Sequence, residues 1–323
     1  MTVARAPRLR LHATLFLASF ALMLLEFGLM RLLAERFWSH FANMIISVAM
    51  LGCGISGALL AAVRARSTLR CASICRYAMP AFALLIPVAA AGTGWAGLNP
   101  LYISWDVYQC LHLLALELFA LLPFVAGSVG IAACMMEAGE GVGAAYAAGL
   151  FGSGVGAVAG MMLLFRFSPV GLLWIAALLA FAAAWMLGGN GARHHSVIVL
   201  ATGIILAGMY VVVPAEPAMS EYKALPVFSR MPGTVSIHSS RSPLGRLDVV
   251  GGPGIHLAPG LELGYRGTVP SHTVLLNDGD QPAAVYRCKD DRDRAFLDRL
   301  TSAAAYSFLD RPEVLIVGVG GGS

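Results

Sequence analysis

The sequence predicts an α-helical transmembrane bundle of about seven helices, followed by a small β-rich domain and the first strand of a Rossmann-like α/β domain. Three observations carry that expectation. Up to residue 214 the chain is a succession of apolar runs near the length that crosses a hydrocarbon core. Beyond "VVVPAEPAMSEYK" the charges return, and short alternating runs are broken by Gly and Pro. The last stretch, "RPEVLIVGVGGGS", is a β-branched run feeding a glycine-rich turn. The expected boundaries are 1–214 for the bundle, 215–288 for the hairpin-rich part and 289–323 for a helix, that strand and the glycine turn.

Hydrophobic residues make up 58% of the chain and charged residues 12%. The mean hydropathy of +0.74 lies outside the soluble globular range, so the lipid bilayer is the first partner expected. The net charge of +4 does not imply nucleic acid. Most arginines before Pro214 stand between apolar runs, where they set topology rather than form a binding face. Cys53, Cys71, Cys75, Cys110, Cys134 and Cys288 form no CxxC and have no histidine at ligand spacing. Neither a disulfide framework nor a metal site is expected. Cys71 and Cys75 are one helical turn apart, a spacing that implies no chemistry by itself.

The N-terminus has the basic head and apolar stretch of a signal peptide. The run, however, continues through Met30 and Leu33, and Glu26 sits inside it where a small-residue cleavage site would follow. A retained first transmembrane helix is expected. The candidate spans fall at residues 12–33, 41–63, 77–95, 108–133, 143–165, 169–188 and 195–213. The fourth, carrying His112, Glu117 and Pro123, is the least regular. Arg5, Arg8 and Arg10 precede the first span, and Arg64, Arg66, Arg70 and Arg76 separate the second from the third. Both regions read as cytoplasmic, which gives a multi-pass membrane protein with a cytoplasmic N-terminus. Seven crossings leave the residues after Pro214 outside; six or eight leave them inside.

"GCGISG" (Gly52, Gly54, Gly57) has dinucleotide-binding spacing, but it lies inside a span instead of between a strand and a helix. Helix packing is the expected role. Gly152, Gly156 and Gly160 repeat every four residues and share one helix face, where they let a neighbouring helix approach. Glu26 with Arg31, and His112 with Glu117, are each five residues apart and are read as polar pairs that fix the bundle.

After Pro214, "RLDVV" and "HTVLLND" alternate, and "GGPG", "APG" and "NDGD" signal turns. Four to six short strands in a small sheet are expected. "DDRDRAFLDRLTSAAAYSFL" places Phe296, Leu297, Leu300, Ala304 and Phe308 at helical spacing, so an amphipathic helix is expected before the strand. His238, His256 and His272 are too irregularly spaced to be ligands and read as hairpin-surface residues. Asp290, Asp291 and Asp293 read as a helix start.

In that order and spacing, "SSRSPLGRLDVV", "LLNDGDQPAAVY" and "RPEVLIVGVGGGS" resemble the start of the spermidine synthase (aminopropyltransferase) family. "ISVAMLGCGISGALLA" and "AAYAAGLFGSGVGAVAG" are similar to the multi-spanning bundle that some bacterial members carry in front of it. The resemblance implies a β-hairpin lid on a Rossmann-like transferase domain. It also implies S-adenosylmethionine or decarboxylated S-adenosylmethionine as cofactor, a small amine as substrate, and aminopropyl or methyl transfer. Gly318, Gly320, Gly321 and Gly322, with Gln281, are the cofactor-binding residues it implies. Glycine suits that turn because the cofactor packs against backbone. Ser323 stands where a pyrophosphate-binding turn prefers Gly or Ala, which favours a sulfonium cofactor over NAD.

The chain departs from the family at informative places. Gly245 and Arg246 replace the glutamine of the first hairpin, Gln281 follows "DG" one residue early, and the Tyr-His pair of the helix is missing. No catalytic acid can be assigned. The ribose-binding acid and the acidic motif of the family would follow Ser323, so the chain reads as truncated and inactive as it stands. A second reading makes the bundle the working part, a transporter or scaffold with a degenerate transferase-like module. Self-association into a homo-oligomer is compatible with both.

Overall fold

The computed structural model describes residues 5–66, 70–188, 193–308 and 313–315. The chain divides into two units, Met1–Ala218 and Met219–Ser323. The first contains α1 (Arg5–Arg36), α2 (Ser39–Arg66), α3 (Cys71–Trp95), α4 (Tyr108–Glu137), α5 (Val142–Leu163), α6 (Pro169–Met186) and α7 (Arg193–Val212). Among the described residues these seven helices are long and apolar enough to cross a membrane, which makes this a multi-pass membrane protein. The irregular fourth run forms one helix, with Pro123 inside it. Neighbouring helices in a bundle can compensate the backbone bond that proline removes.

The helix α1 is the hub, packing on α2, α4, α5 and α6. Leu24, Leu25, Leu29, Leu32 and Leu33 are fully buried there, in one cluster with Phe82, Ile86, Leu116, Leu172 and Ala176. Glycine decides how closely the helices approach. A Cβ at Gly152 would strike the Phe16 carbonyl oxygen of α1, one at Gly156 would lie 2.9 Å from Met23 Cβ, and one at Gly160 would lie 2.9 Å from the Phe27 ring. The expected glycine face therefore seats α5 on α1. In "GCGISG" only Gly52 packs, with 2.6 Å between its notional Cβ and Phe124 Cβ of α4, whereas Gly54 and Gly57 face open space. The shared packing role expected of that triplet is corrected: on a helix, residues two and five positions along point away from the contact. At the start of α6, Ser168 Oγ accepts from Gly171 N at 3.1 Å with Pro169 in the first turn, a favoured capping arrangement.

Among the described residues the second unit holds α8 (Ala224–Ser229) and four strands, β1 (Val235–Ser242), β2 (Gly245–Gly251), β3 (His272–Asn277) and β4 (Asp280–Tyr286). They form one antiparallel meander in sequence order. Asp278 and Gly279, at φ of 50° and 72°, link the paired Asn277 and Asp280. A two-residue loop with both central residues at positive φ is a type I′ turn, whose twist suits a hairpin and which Asp-Gly favours. One sheet face buries Val250, Val274 and Leu276 with Ile255, covered by Leu225, Phe228 and Met231.

The amphipathic helix expected across "DDRDRAFLDRLTSAAAYSFL" is broken. The segment has a short α9 (Asp291–Arg294), 3-10 turns at Leu297–Arg299 and Thr301–Ala303, and a short α10 (Ala304–Ser307). Leu300 is extended, at φ −81° and ψ 148°, and bridges Leu261. Glu262 N donates to Arg299 O at 3.0 Å, and Thr301 N to Gly260 O at 2.8 Å. Backbone bonds to the long β2–β3 loop thus outcompete helix continuation. Phe296 and Leu300 stay buried while Phe308 is 86% exposed. Of the expected final strand, Glu313 to Leu315 are described and lie in neither helix nor strand; the remainder, with the glycine turn, lies outside the described residues.

Gly152→Val should weaken the bundle by about 1–3 kcal/mol, because backbone stands where the new side chain must go. Gly154→Val, two positions along and facing open space, should change stability by less than about 0.5 kcal/mol. Thermal unfolding of the two variants in detergent checks the contrast.

Candidate functional site

Within the bundle, a cavity of about 590 Å³ lies where the C-terminal ends of α1, α3 and α7 meet the start of α6. Its walls are mostly apolar, including Val88, Phe119, Val170 and Met209. Arg36 is the one basic residue among them. It stands in the last turn of α1, where a cation suits the helix dipole, and it is 8% exposed. Its Nη1 donates to Thr93 Oγ1 at 2.8 Å and its Nε to the Ala218 carbonyl at 3.3 Å. Thr93 Oγ1 in turn donates to Ala90 O at 3.0 Å. A Cβ at Gly94 would lie 2.9 Å from Nη2, so the glycine leaves room for the guanidinium. Among the described residues no carboxylate lies within ion-pair distance of Arg36.

The other polar residues of the spans settle differently from their expected pairings. Arg31 pairs with Glu35 at 3.8 Å, not with Glu26. A four-residue spacing stacks side chains on one face, and a fifth residue turns them apart. His112 approaches Gln109 Oε1 at 3.4 Å, not Glu117. Gln109 also accepts from Asn99 N at 2.9 Å and donates to Asp106 at 3.2 Å, so His112 belongs to a network closing the start of α4. Cys75 lies beside Cys134 of α4, with 3.0 Å between the sulfurs, and both are buried. The tertiary neighbour of Cys75 is thus on another helix.

In the second unit, Gly318, Gly320, Gly321 and Gly322 lie outside the described residues. Gln281 is exposed and is the second residue of β4, at φ 49°, one residue beyond the Asp-Gly turn. That turn is firmly tied. Asp278 Oδ1 accepts from Arg246 N at 2.9 Å, Lys223 Nζ donates to Asp278 O at 2.6 Å, and Leu225 N donates to Gly279 O at 2.9 Å. Gly245 sits under Asn277, whose side-chain oxygen fills the place of a Cβ. Asp248 is 1% exposed and takes both Arg246 Nε and Nη2 on Oδ1, at 3.1 and 3.0 Å. The alternation of "RLDVV" therefore turns an aspartate inward, held by an arginine of its own strand.

A second cavity, of about 510 Å³, is lined by Gly251, Gly252, His272, Thr273, Tyr286 and Arg287. His272, read as a hairpin-surface residue, opens β3 half-buried and has two hydrogen bonds. Its Nε2 accepts from Leu257 N at 3.0 Å, which leaves Nδ1 to donate to Pro270 O at 3.0 Å. Tyr286 donates to Leu257 O at 2.8 Å and packs edge-on against Phe296. These two side chains hold the β2–β3 loop. His238 and His256 are exposed, and among the described residues no group of three His, Cys, Asp or Glu could hold a metal.

Sequence reasoning passed over Arg36 and Thr93, because an arginine ending a span ordinarily reaches water. The adjoining "AERFW" is the available signal: the helix ends on a charged pair and runs at once into aromatic residues. No family model, curated protein or solved structure matches this chain.

Burial, and then the neighbouring Cys288, push the Tyr286 hydroxyl above its ordinary pKa. The neutral phenol is the form the fold holds, so stability is full below the ordinary value near pH 10 and falls as pH rises through the raised one. Tyr286→Phe should remove that alkaline loss while costing about 1 kcal/mol at neutral pH for the bond to Leu257. Unfolding measured between neutral and alkaline pH, with phenolate absorbance followed in parallel, checks both effects.

Proposed function

We propose that this is a membrane-bound, spermidine synthase-like protein of the bacterial inner membrane. In this reading it binds S-adenosylmethionine or its decarboxylated relative through Gly318, Gly320, Gly321, Gly322 and Gln281, and transfers a methyl or aminopropyl group to a small amine. One observation carries the reading. A spanning bundle is followed by a four-stranded meander with a type I′ Asp-Gly turn before Gln281, and then by "EVLIVGVGGGS". A sulfonium cofactor makes its neighbouring carbon electrophilic. The protein must then align the acceptor amine and take its proton. No carboxylate of this chain is assigned that second task.

Gly320→Asp should weaken binding of labelled S-adenosylmethionine to the protein at least about tenfold, because a side chain and a charge would enter a turn built for backbone contact. Equilibrium dialysis measures it. Equal binding by the variant and the parent would overturn the glycine-turn assignment.

A second reading, the bundle as transporter or scaffold, is favoured by the Arg36 cavity. Arg5, Arg8 and Arg10 at the start of α1, with Arg64, Arg66, Arg70 and Arg76 around the α2–α3 connection, argue for a cytoplasmic N-terminus. If all seven helices cross, the segment after Pro214 then lies opposite a cytosolic cofactor. C-terminal fusions to a phosphatase active only outside and to a fluorescent protein active only inside separate the two. The transferase reading expects fluorescence, whereas phosphatase activity would remove it in favour of the second.

A further inference from the structure

We infer that the Arg36 cavity is a binding site for one membrane phospholipid, with its phosphodiester on the guanidinium and an acyl chain along the apolar walls. The inference needs neither functional reading above, only the bundle. Burying a guanidinium is unfavourable unless its charge is answered, and arginine stays protonated at physiological pH. Here the partners shown are both neutral, Thr93 Oγ1 and the Ala218 carbonyl. Two acceptors for a five-donor fork leave donor capacity on a side chain that is 92% buried, being 8% exposed. The planar fork matches the oxygens of a phosphodiester, the anionic group that membrane phospholipids carry.

The walls specify the remainder of the ligand. Val88, Phe119, Val170, Met209 and Val213 offer no charge, so they suit hydrocarbon and not a hydrated inorganic anion. Trp95 and Val212 also line the cavity, and they are 89% and 79% exposed. On a spanning helix such exposure is toward lipid or the interfacial layer, where tryptophan concentrates. The cavity therefore opens to the bilayer. Its volume of about 590 Å³ falls within the usual range for a ligand site. Glu216 also lines it, and this acid disfavours a multiply charged head, so a single phosphodiester is the fitting charge.

The test uses the full chain purified in an uncharged detergent and titrated with dioleoylphosphatidylglycerol, with bound lipid counted by native mass spectrometry. One lipid per chain should be retained, and Arg36→Gln should lower its affinity at least about tenfold. Ala91→Phe, which fills the cavity and leaves Arg36 in place, should lose the lipid as well. It keeps the test decisive if Arg36→Gln does not fold, which helical circular dichroism would report. Arg166→Gln removes an exposed arginine outside the cavity and should retain lipid as the parent does. Equal retention by folded Arg36→Gln and the parent overturns the proposal. So does displacement by inorganic phosphate, which would mark a small-anion site, or equal retention of dioleoylglycerol, which would mark a purely apolar one.

Discussion

The bundle depends on how closely α1 can be approached. In a bilayer the hydrophobic effect does not draw one apolar helix to another, so association relies on dispersion contacts that vanish with a small gap. The glycines at 152 and 156 let α5 settle onto α1 at Phe16, Phe20 and Met23, and Gly160 makes room for Phe27 and Leu24. Gly28 gives Leu173 of α6 the same access on another side of α1, with 2.7 Å to its notional Cβ. With α1 enclosed in this way, Leu24, Leu25, Leu29, Leu32 and Leu33 have no exposure left, and its last turn carries Arg36 into the protein instead of out to water.

That placement couples packing to chemistry. Arg36 and Arg31 are five residues apart on one helix, yet they have different fates. Arg31 meets a carboxylate of its own helix, Glu35, whereas Arg36 meets the neutral Thr93 of α3 and the Ala218 carbonyl. An ion pair within one helix is settled by local spacing. A cation held by neutral oxygens at the wall of an apolar cavity is an incomplete arrangement, and so it is the place in the bundle where a ligand has most to contribute.

In the second unit the organising feature is the Asp-Gly turn. It fixes the β3–β4 register, and Lys223 and Leu225 bond to the carbonyls of its two central residues. Through that turn the sheet gathers both the segment before β1 and Gln281. The same unit commits polar side chains to its own frame: buried Asp248 to Arg246, half-buried His272 and Tyr286 to the backbone of Leu257. Their surroundings make them structural, although residue type alone would also admit them as chemistry.

The sequence by itself determined the features that depend on local pattern. Runs of apolar residues located seven spanning helices, because hydrocarbon thickness sets their length. "NDGD" located the β3–β4 turn, because positive φ at two positions restricts the residues that fit. The four-residue glycine repeat located the α5 contact face, because helical period determines which residues share a side. Tertiary structure decided what depends on partners distant in the chain. It divided "GCGISG" into one packed and two open glycines, gave Arg31 to Glu35 and His112 to Gln109, and brought Cys75 to Cys134. It broke the expected helix at Leu300, where a bridge to Leu261 offers the backbone an alternative that helical periodicity cannot register. It also enclosed Arg36, whose burial follows from Thr93 and Ala218 and from no residue beside it in the sequence.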